Sequence, residues 1–560
     1  MLRNGSLRFA VLAACALAAV ACGKKNAQDA TSPLAFVPAD TPYVFANTEP
    51  MPEAAIAQWR HQMQQMWPLV LPLFEDTASK VDANTPQASK LVKAILDEVR
   101  DRDTPEKWAQ IGLSAKMRTA FYGVGVLPVL RWESIDIDAF KAAFERVVKN
   151  AGVTLGSARI GEQDVRTIDG EKAIGLIAFE GKDFVVTMVP KDADDALKRR
   201  VLGLDRPAQS LADTGAFEAF DKARGYLPYG SGWLDTRRLV ALIGTPEAGV
   251  PTTAIDAACR AEYDGIATKM PKLSFGYTKL DGDMMDMRMR LELEPALAKA
   301  LVDLGSAMPG AARTDALFDM AFALPVLKAR DFLVAQADAV AKAPFQCAQL
   351  AELNTEFAKA KTSLDRILPP PVADLTGVRV TLDRFTMPTD MTKPPSDFAG
   401  SVLVGSNNPM FLVGLAQMSA PPLQSLHLNP DGKPVALPAD ALGQLGSQFD
   451  VQAALGPKTL GVAVGKDAAA SLPAAVMQAP AADGTVMSFD ASGRIYALMG
   501  DLFGNKLVAA SMPAEQKDAL ETQRKLYALY AQWFKHIHAR LAFVPEGVDL
   551  VESVELNPVQ

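Results

Sequence analysis

Few residues in this chain have the types and spacing that chemistry requires, and one pair of histidines is the first to consider. His536 and His538 are separated by a single residue. On a strand, both imidazoles would point to the same side and could begin a zinc or copper site. No third ligand lies nearby in the sequence. We therefore interpret the pair as solvated polar residues at a helix-to-strand junction, and we predict no metal site.

Methionines are concentrated between Met284 and Met289, and thioether sulfur is a good ligand for Cu(I). Three of them, Met285, Met287 and Met289, alternate with charged residues. Alternation of this kind is typical of a half-buried strand, in which methionine fills an irregular core. We interpret the cluster as packing, and copper binding is the alternative.

The usual signatures of catalysis are missing from the sequence. It contains no Gly-x-Ser-x-Gly, Ser-x-x-Lys or His-Glu-x-x-His motif, and no Gly-x-x-x-x-Gly-Lys loop for phosphate. With 4 histidines there is little material for a histidine base, but 65 acidic residues can hide a pair of catalytic carboxylates. The sequence predicts no catalytic residue and no cofactor, and an unrecognised hydrolase remains an alternative.

The first 25 residues predict export from the cytoplasm. Arg3 and Arg8 give a positive start, and the apolar run from Phe9 to Ala21 is too short for a membrane-spanning helix, which needs about 20 residues. The segment Ala19-Val20-Ala21-Cys22 resembles the lipobox of bacterial lipoproteins, although Ala19 stands where that family usually has Leu or Val. The resemblance implies that residues 1–21 are a signal peptide and that Cys22 is lipidated as the first residue of the mature protein. An ordinary signal peptide that contains cysteine is the alternative.

The residues after Cys22 bear on which membrane holds the protein. By resemblance to enterobacterial lipoproteins, Gly23 in place of Asp implies the outer membrane, facing the periplasm. Lys24 and Lys25 keep the inner membrane open as the alternative. Residues 22–33 are polar and aperiodic, so we expect a lipidated tether. Loss of Arg3 and Arg8 takes the formal charge from −8 to −10, and such an acidic chain is a poor partner for nucleic acid.

Two cysteines remain in the body of the protein once Cys15 leaves with the signal and Cys22 carries lipid. Cys259 and Cys347 would then share an oxidising compartment, which favours a disulfide. Each is predicted near the start of a helix that leads into a hairpin. We predict a Cys259–Cys347 bridge that fastens two domains together, and two separate thiols are the alternative.

The body of the chain predicts an α+β fold, with antiparallel hairpins and sheets covered by helices. Its length exceeds the size at which one core stops growing, so at least two related domains are expected. We place them at 34–308 and 309–560, because Gly, Pro and Ala interrupt the apolar pattern between Gly305 and Asp315. Three helix-to-hairpin units are a candidate internal repeat: one helix carries Cys259, one carries Cys347, and the last carries a stripe from Leu526 to Ile537.

Three classes of function fit these features. The leading hypothesis is a non-enzymatic envelope lipoprotein, held at the membrane by lipid, that binds another protein or supports the envelope. A carrier or sensor of an apolar ligand is the second, because a sheet with covering helices can enclose such a ligand. The hydrolase without visible motifs is the third.

Overall fold

The computed structural model describes most of the chain and divides it into two compact units. Unit 1 comprises Met1–Asp256, Tyr263–Met289 and Pro558–Gln560, and unit 2 comprises Ala257–Glu262 and Arg290–Asn557. The division falls in the strand at 284–292, ahead of the boundary that the sequence predicts between Gly305 and Asp315. The described residues are 32–80, 86–250, 255–305, 307–323, 325–366, 368–388, 395–443, 446, 448–480, 483–504 and 517–558.

Unit 1 combines an antiparallel sheet with helices in the connections. Its strands are β1 (Tyr43–Asn47), β2 (Thr119–Val124), β3 (Leu127–Glu133), β4 (Gly156–Ile160), β5 (Gln163–Asp169), β6 (Ala173–Glu180), β7 (Asp183–Pro190), β8 (Tyr229–Asp235), β9 (Lys272–Leu280) and β10 (Met284–Glu292), whose residues from Arg290 belong to unit 2. Its helices are α1 (Glu53–Lys80), α2 (Pro86–Val99), α3 (Pro105–Ala109), α4 (Ile137–Ala151), α5 (Asp195–Leu202), α6 (Leu211–Thr214), α7 (Ala216–Arg224), α8 (Thr236–Leu242) and α9 (Ala257–Lys269), which starts in unit 2.

The strand order of unit 1 is β4-β5-β6-β7-β3-β2-β1-β8-β9, with β10 beside β9, and the described pairs from β4 to β9 are antiparallel.

Local signals set the helix ends. The side chain of Asp194 caps α5, and Gly203, with φ of 83°, ends it in the left-handed conformation that glycine adopts at least cost. The main core lies on one face of the sheet, where Val44, Tyr122 and Val129 pack under Phe36 and Phe217.

Unit 2 has the same kinds of elements. Its further strands are β11 (Phe318–Ala323), β12 (Leu375–Phe385), β13 (Phe398–Ser406), β14 (Val435–Ala436), β15 (Val451–Leu455), β16 (Thr459–Val464), β17 (Thr485–Ser492), β18 (Phe534–Val544) and β19 (Gly547–Leu556). Its helices are α10 (Pro295–Leu304), α11 (Val326–Lys342), α12 (Ala351–Leu364), α13 (Pro370–Ala373), α14 (Pro409–Ser419), α15 (Lys466–Met477), α16 (Arg494–Gly504) and α17 (Lys517–Trp533). Both units mix helices with antiparallel strands, which confirms the predicted α+β class.

The two units repeat one topology. The order in unit 2 is β14-β15-β16-β13-β12-β11-β17-β18-β19, again antiparallel, and it matches β5-β6-β7-β3-β2-β1-β8-β9-β10 position for position. The registers agree as well. Leu130 pairs with Phe121 and Val186, as Val402 pairs with Val380 and Val462. Among the described strands only β4 lacks a counterpart in unit 2.

This two-fold repeat replaces the three helix-to-hairpin units that the sequence suggests. The hairpin β9–β10 does correspond to β18–β19, but β12–β13 corresponds to β2–β3. The unit that carries Cys347 is therefore not a third copy. A helix followed by two paired strands recurs in any antiparallel sheet with helical connections, so this local pattern cannot reveal the true period.

Two predicted helices also have different bounds. Cys347 precedes α12, which begins at Ala351, and the backbone N–H groups of Gln346 and Cys347 donate to the carboxylate of Glu262. At the other end of the chain, α17 stops at Trp533, and Ile537 lies in β18. An apolar residue can continue a helical stripe or begin a strand, so its spacing alone did not locate this boundary.

Candidate functional site

The sheet of unit 2 carries a continuous apolar row on the face that its main helix does not cover. We call this face the outer face and the row the unit 2 row. Directly paired residues on adjacent strands share a face, and the register gives the members of this row as Val462, Val402, Val380, Met320 and Phe489. Val402 and Val380 are 41% and 40% exposed. A β-branched apolar residue in the middle of a sheet is normally covered, so the open row is a candidate binding surface.

Helix α14 forms a wall at one end of the unit 2 row. Its Val413 packs in a cluster with Leu460 and Val462, so α14 covers the β16 end and leaves Val402 and Val380 open. The helix contains no charged residue. Its exposed apolar side chains are Met410, Phe411, Leu415 and Met418. The floor and the wall are therefore both apolar.

Unit 1 repeats the arrangement at matching positions. The unit 1 row consists of Val186, Leu130, Phe121, Phe45, Gly232 and Phe275. The helix after β3, α4, takes the place of α14, because its Phe140 and Phe144 pack against Phe184 at the β7 end. Phe45, the counterpart of Met320, remains 37% exposed. Leu130 and Val186 pack against the cluster around Trp132 and Phe184, so the row of unit 1 is exposed at Phe45 and is narrower than that of unit 2. An apolar row at matching positions in both copies of the repeat argues for a shared purpose.

The opposite, inner face of unit 2 is apolar where α15 packs on it, but its part on β11, β12 and β17 is buried and polar. Asp319 and Arg379 form an ion pair there, and the second oxygen of Asp319 accepts a hydrogen bond from Thr381 at 2.7 Å. The Nε of Arg379 donates to the carbonyl of Pro309 at 2.8 Å. Asp319 is fully buried, and burial raises its pKa above the ordinary value, with a further rise from the charge of Asp490.

Asp490 extends this network to the two histidines of β18. It lies directly opposite Asp319 in the β11–β17 pair. Its Oδ1 is 3.2 Å from His536 Nε2 and 3.0 Å from His538 Nδ1. Its Oδ2 is buried and has no hydrogen-bond partner. The hydrogen bond to Asp490 raises the pKa of His538. We call Asp319, Arg379, Thr381, Asp490, His536 and His538 the inner network.

The sequence interpretation of the histidine pair was therefore wrong in one respect. The pair does lie at a helix-to-strand junction, immediately after α17, and both imidazoles do point to one side of β18. They are not simply solvated, because a buried carboxylate holds both. Asp490 lies 46 residues before His536, so no local motif announced it. The signal that could have found it is an acidic residue in the interior of a predicted strand.

The repeat provides a comparison for the inner network. Asp319, Asp490 and His538 correspond by register to Val44, Trp233 and Ser274 of unit 1. Trp233 packs against Phe217 and Phe220 of α7, with ring centroids 5.4 and 4.7 Å apart. In unit 2, the described residues between β16 and β17 form the single helix α15, without a second helix in the place of α7. The fold therefore tolerates an apolar core at these positions, and unit 2 places ionisable groups there instead.

A cleft of about 730 Å³ lies at one end of the unit 2 sheet. Its lining combines apolar groups with ionisable ones, including Asp383, Arg494 and Asp501. Burial raises the pKa of Asp383, although Arg313 lies 3.1 Å away and opposes the shift. The chain on both sides of this cleft runs into residues 389–394 and 505–516, outside the described part, so we assign it no ligand.

The other predicted sites can now be placed. Cys259 and Cys347 form a disulfide with a Cα separation of 4.6 Å, and both belong to unit 2. The first turn of α9 belongs to unit 2, so the bridge lies within that unit. It does not join the two units, whereas the sequence analysis predicted a bridge between two domains. Cys22 and the predicted signal peptide, residues 1–21, lie outside the described residues. Met285 and Met287 are half-buried in β10, and Met289 is exposed.

The described residues contain neither a metal-binding cluster nor a membrane-spanning helix. No group of three or more His, Cys, Asp or Glu side chains there is placed to hold a metal ion. No described helix combines the length and apolar character that crossing a membrane requires.

Comparisons with known proteins returned nothing: no protein-family model, no curated protein and no solved structure matches the chain. The class that the fold defines is an α+β protein with a duplicated antiparallel sheet.

Proposed function

We propose that this chain is a non-enzymatic binding protein, anchored in the bacterial envelope by lipid at Cys22, that holds acyl chains on the outer faces of its two sheets. The observation that carries the proposal is an apolar row at matching positions in both units, exposed at Val402 and Val380 in unit 2 and at Phe45 in unit 1. This favours an apolar ligand over the protein partner that the sequence put first.

The chemistry of the rows selects an acyl chain as the occupant. None of the row side chains can donate a hydrogen bond, and none carries a charge. A protein partner would bring backbone and polar groups to such a surface, and each group without a partner costs free energy on burial. A hydrocarbon chain brings none, so it gains from contact without that cost.

The dimensions of the rows also suit an acyl chain. Neighbouring strands lie about 4.8 Å apart, so the four strands that carry the uncovered part of the unit 2 row, from Val402 to Phe489, span about 14 Å. A bilayer hydrocarbon core of about 30 Å contains two layers of chains, so one chain covers about 15 Å. The length of one acyl chain therefore matches the uncovered part of the unit 2 row.

The proposed anchor supplies the ligand source. Residues 23–33 reach at most about 36 Å when fully extended, at about 3.3 Å per residue. Lipid at Cys22 would keep the body within that distance of a bilayer, so acyl chains would be abundant at the surface of the protein.

Charge placed in one row should remove one binding site. With a fluorescent fatty acid as the probe, we expect two sites in the wild type, one in Val380→Asp, and none in Val380→Asp/Phe45→Asp. The reason is that a carboxylate in the floor must be desolvated by the bound chain, which costs at least the 1.4 kcal/mol that weakens binding tenfold. Titration by fluorescence, with stoichiometry from native mass spectrometry, measures the effect.

Met477→Asp is the matched control, because Met477 is 46% exposed but lies on α15, away from the row. This variant should retain both sites. Equal binding by wild type, Val380→Asp and Met477→Asp would overturn the proposal. Absence of fatty-acid binding together with a stable complex with a purified envelope protein, lost in Val380→Asp, would assign the row to a protein partner instead.

The anchor has its own test. Cys22→Ala removes the thiol that would carry lipid, so the variant should move from the membrane fraction to the soluble periplasmic fraction, because acyl chains supply the attachment. Fractionation with labelled fatty acid measures this, and gradient separation of the two membranes should place the wild type in the outer membrane. A variant that stays membrane-bound, beside a wild type that incorporates no label, would contradict the assignment.

A further inference from the structure

The inner network contains more negative charge than its fixed cation can balance. Asp319 and Asp490 lie opposite each other in the β11–β17 pair, and Arg379 is bonded to Asp319. Arginine stays protonated in proteins, so Arg379 supplies one positive charge for two carboxylates. The remaining carboxylate is that of Asp490, whose side chain is 3% exposed and has one oxygen without a partner. A buried charge of this kind is costly unless another cation compensates it.

The two histidines can supply that cation when protonated. One imidazolium at His536 or His538, each bonded to Oδ1 of Asp490, would bring the network to neutrality. The side chain of His538 is 38% exposed, so solvent protons can reach it. Unit 1 has Val44, Trp233 and Ser274 at the corresponding positions and needs no such compensation.

We propose that the inner network is a proton-responsive element, which holds β17 and β18 of unit 2 together while one imidazolium is present and loosens them when both histidines are neutral. The element is independent of the anchor and of the proposed ligand.

The cations described below, on β18 and on the elements packed against it, are already paired and do not compensate Asp490, and Glu552, opposite Ala539 on β19, is a further carboxylate. On β18 itself, Arg540 lies 3.5 Å from Asp483. The other ion pairs on β18 and on the elements that pack against it are Lys535–Glu555, Arg290–Asp549, Lys299–Asp303 and Arg524–Glu521, with Lys525 also near Glu521. Ser553, opposite His538 on β19, and Ser488 on β17 carry no charge.

The direction of the pH dependence follows from linkage. The folded-state pKa of His538 lies above the ordinary 6.5, so this imidazole stabilises unit 2 below pH 6.5, and the contribution is lost as pH rises through the folded value. The raised pKa of Asp319 acts in the same direction, because the folded state again holds the proton more tightly than the unfolded chain. Rising pH should therefore weaken unit 2.

Whole-protein melting would not isolate this effect. Burial raises the pKa of Asp221 in unit 1 to about 7, so unit 1 also titrates in this range. Two local readouts avoid the problem. The protein has 4 histidines, so histidine-selective labelling gives four ring signals, with His61 and His427 as internal references. Hydrogen exchange measured on peptides from 485–492 and 534–544 reports the β17–β18 pair, and peptides from β2 and β3 report unit 1.

In the full-length protein, we expect His538 to titrate above pH 6.5. As the pH rises, protection of the β17–β18 amides, corrected for intrinsic exchange, should fall by up to tenfold per pH unit, which is the limit for release of one proton. In Asp490→Asn, the pH at which His538 titrates should be lower, and protection of the β17–β18 amides should no longer depend on pH more than protection of unit 1 does. His536→Gln/His538→Gln should also remove that dependence. Because glutamine keeps a hydrogen-bond donor for Asp490, this double variant serves as the test if Asp490→Asn folds poorly.

Each outcome decides the matter. A His538 signal that titrates at or below 6.5, or β17–β18 protection that follows unit 1 at every pH, would overturn the proposal. Fatty-acid binding does not enter these measurements, so failure of the acyl-chain function would leave this result intact, and the reverse also holds.

Discussion

Removal of the Cys259–Cys347 bridge should lower the free energy of unfolding of unit 2 by about 2–4 kcal/mol, with about 4–5 kcal/mol as the upper bound of the chain-entropy model. The bridge joins residues 88 apart, so it closes a long loop in the unfolded chain. Both cysteines are almost fully buried and belong to unit 2. Cys259→Ser/Cys347→Ser, followed by urea denaturation with hydrogen exchange resolved by unit, measures the loss.

Two controls separate the covalent link from its surroundings. Reductant should destabilise the wild type by the same amount as the substitutions, and it should leave the double variant unchanged. Unit 1 should unfold at the same urea concentration in every case, because neither cysteine belongs to it. The Glu262 carboxylate, which accepts from the backbone N–H groups of Gln346 and Cys347, remains in the variant and limits local disorder. Coincident curves with and without reductant would show that no bridge stabilises the protein.

Much of the fold could be predicted from local sequence signals. The hairpin at Asp281-Gly282 and the one at Pro545-Glu546-Gly547 follow from turn chemistry, and the structure has strands on both sides of each. Gly203 ends α5 as its conformational freedom implies. These features depend on a few adjacent residues, so one chain is enough to read them.

The repeat could not be predicted, because its two copies agree in register and not in residue type. Val44 matches Asp319, and Trp233 matches Asp490. The residues at these positions are apolar in unit 1 and ionisable in unit 2, while the strand order is the same in both units. Only the pairing of distant strands, which no local pattern contains, reveals the correspondence.

The candidate sites were hidden for a related reason. In β12, Arg379 is buried and Val380 is exposed, which reverses the usual relation between side-chain polarity and burial. Alternation in the sequence shows that two faces differ, but it does not say which one a helix covers. The usual assumption, that apolar residues face the core, assigns both the apolar row and the inner network to the wrong side.

The repeat also identifies a buried charge in unit 1 that the fold itself does not require. Arg131 is fully buried, with Nη1 2.6 Å from Asp183 and Nη2 2.6 Å from the carbonyl of Leu202. Its guanidinium carbon lies 3.4 Å from the ring centroid of Phe36, which adds a cation–π contact. By register, Leu403 and Thr459 of unit 2 occupy the positions of Arg131 and Asp183. Unit 2 thus shows that an apolar residue and a hydroxyl can replace the ion pair.

Arg131→Leu should therefore destabilise unit 1 by about 3–5 kcal/mol, because it leaves the Asp183 carboxylate buried without its cation. Arg131→Leu/Asp183→Thr, which reproduces the pair found in unit 2, should recover most of that loss, since the Asp183 carboxylate is removed and Glu180, the other carboxylate bonded to Arg131, is 28% exposed and can be solvated. Urea unfolding followed by tryptophan fluorescence measures both variants, because Trp132 and Trp233 lie in the unit 1 sheet. Val129→Ala, a change in the same core without loss of charge, is the control, and Asp183→Thr should not rescue it. Equal destabilisation of the single and double Arg131 variants would show that packing around the guanidinium, and not the uncompensated carboxylate, sets the cost.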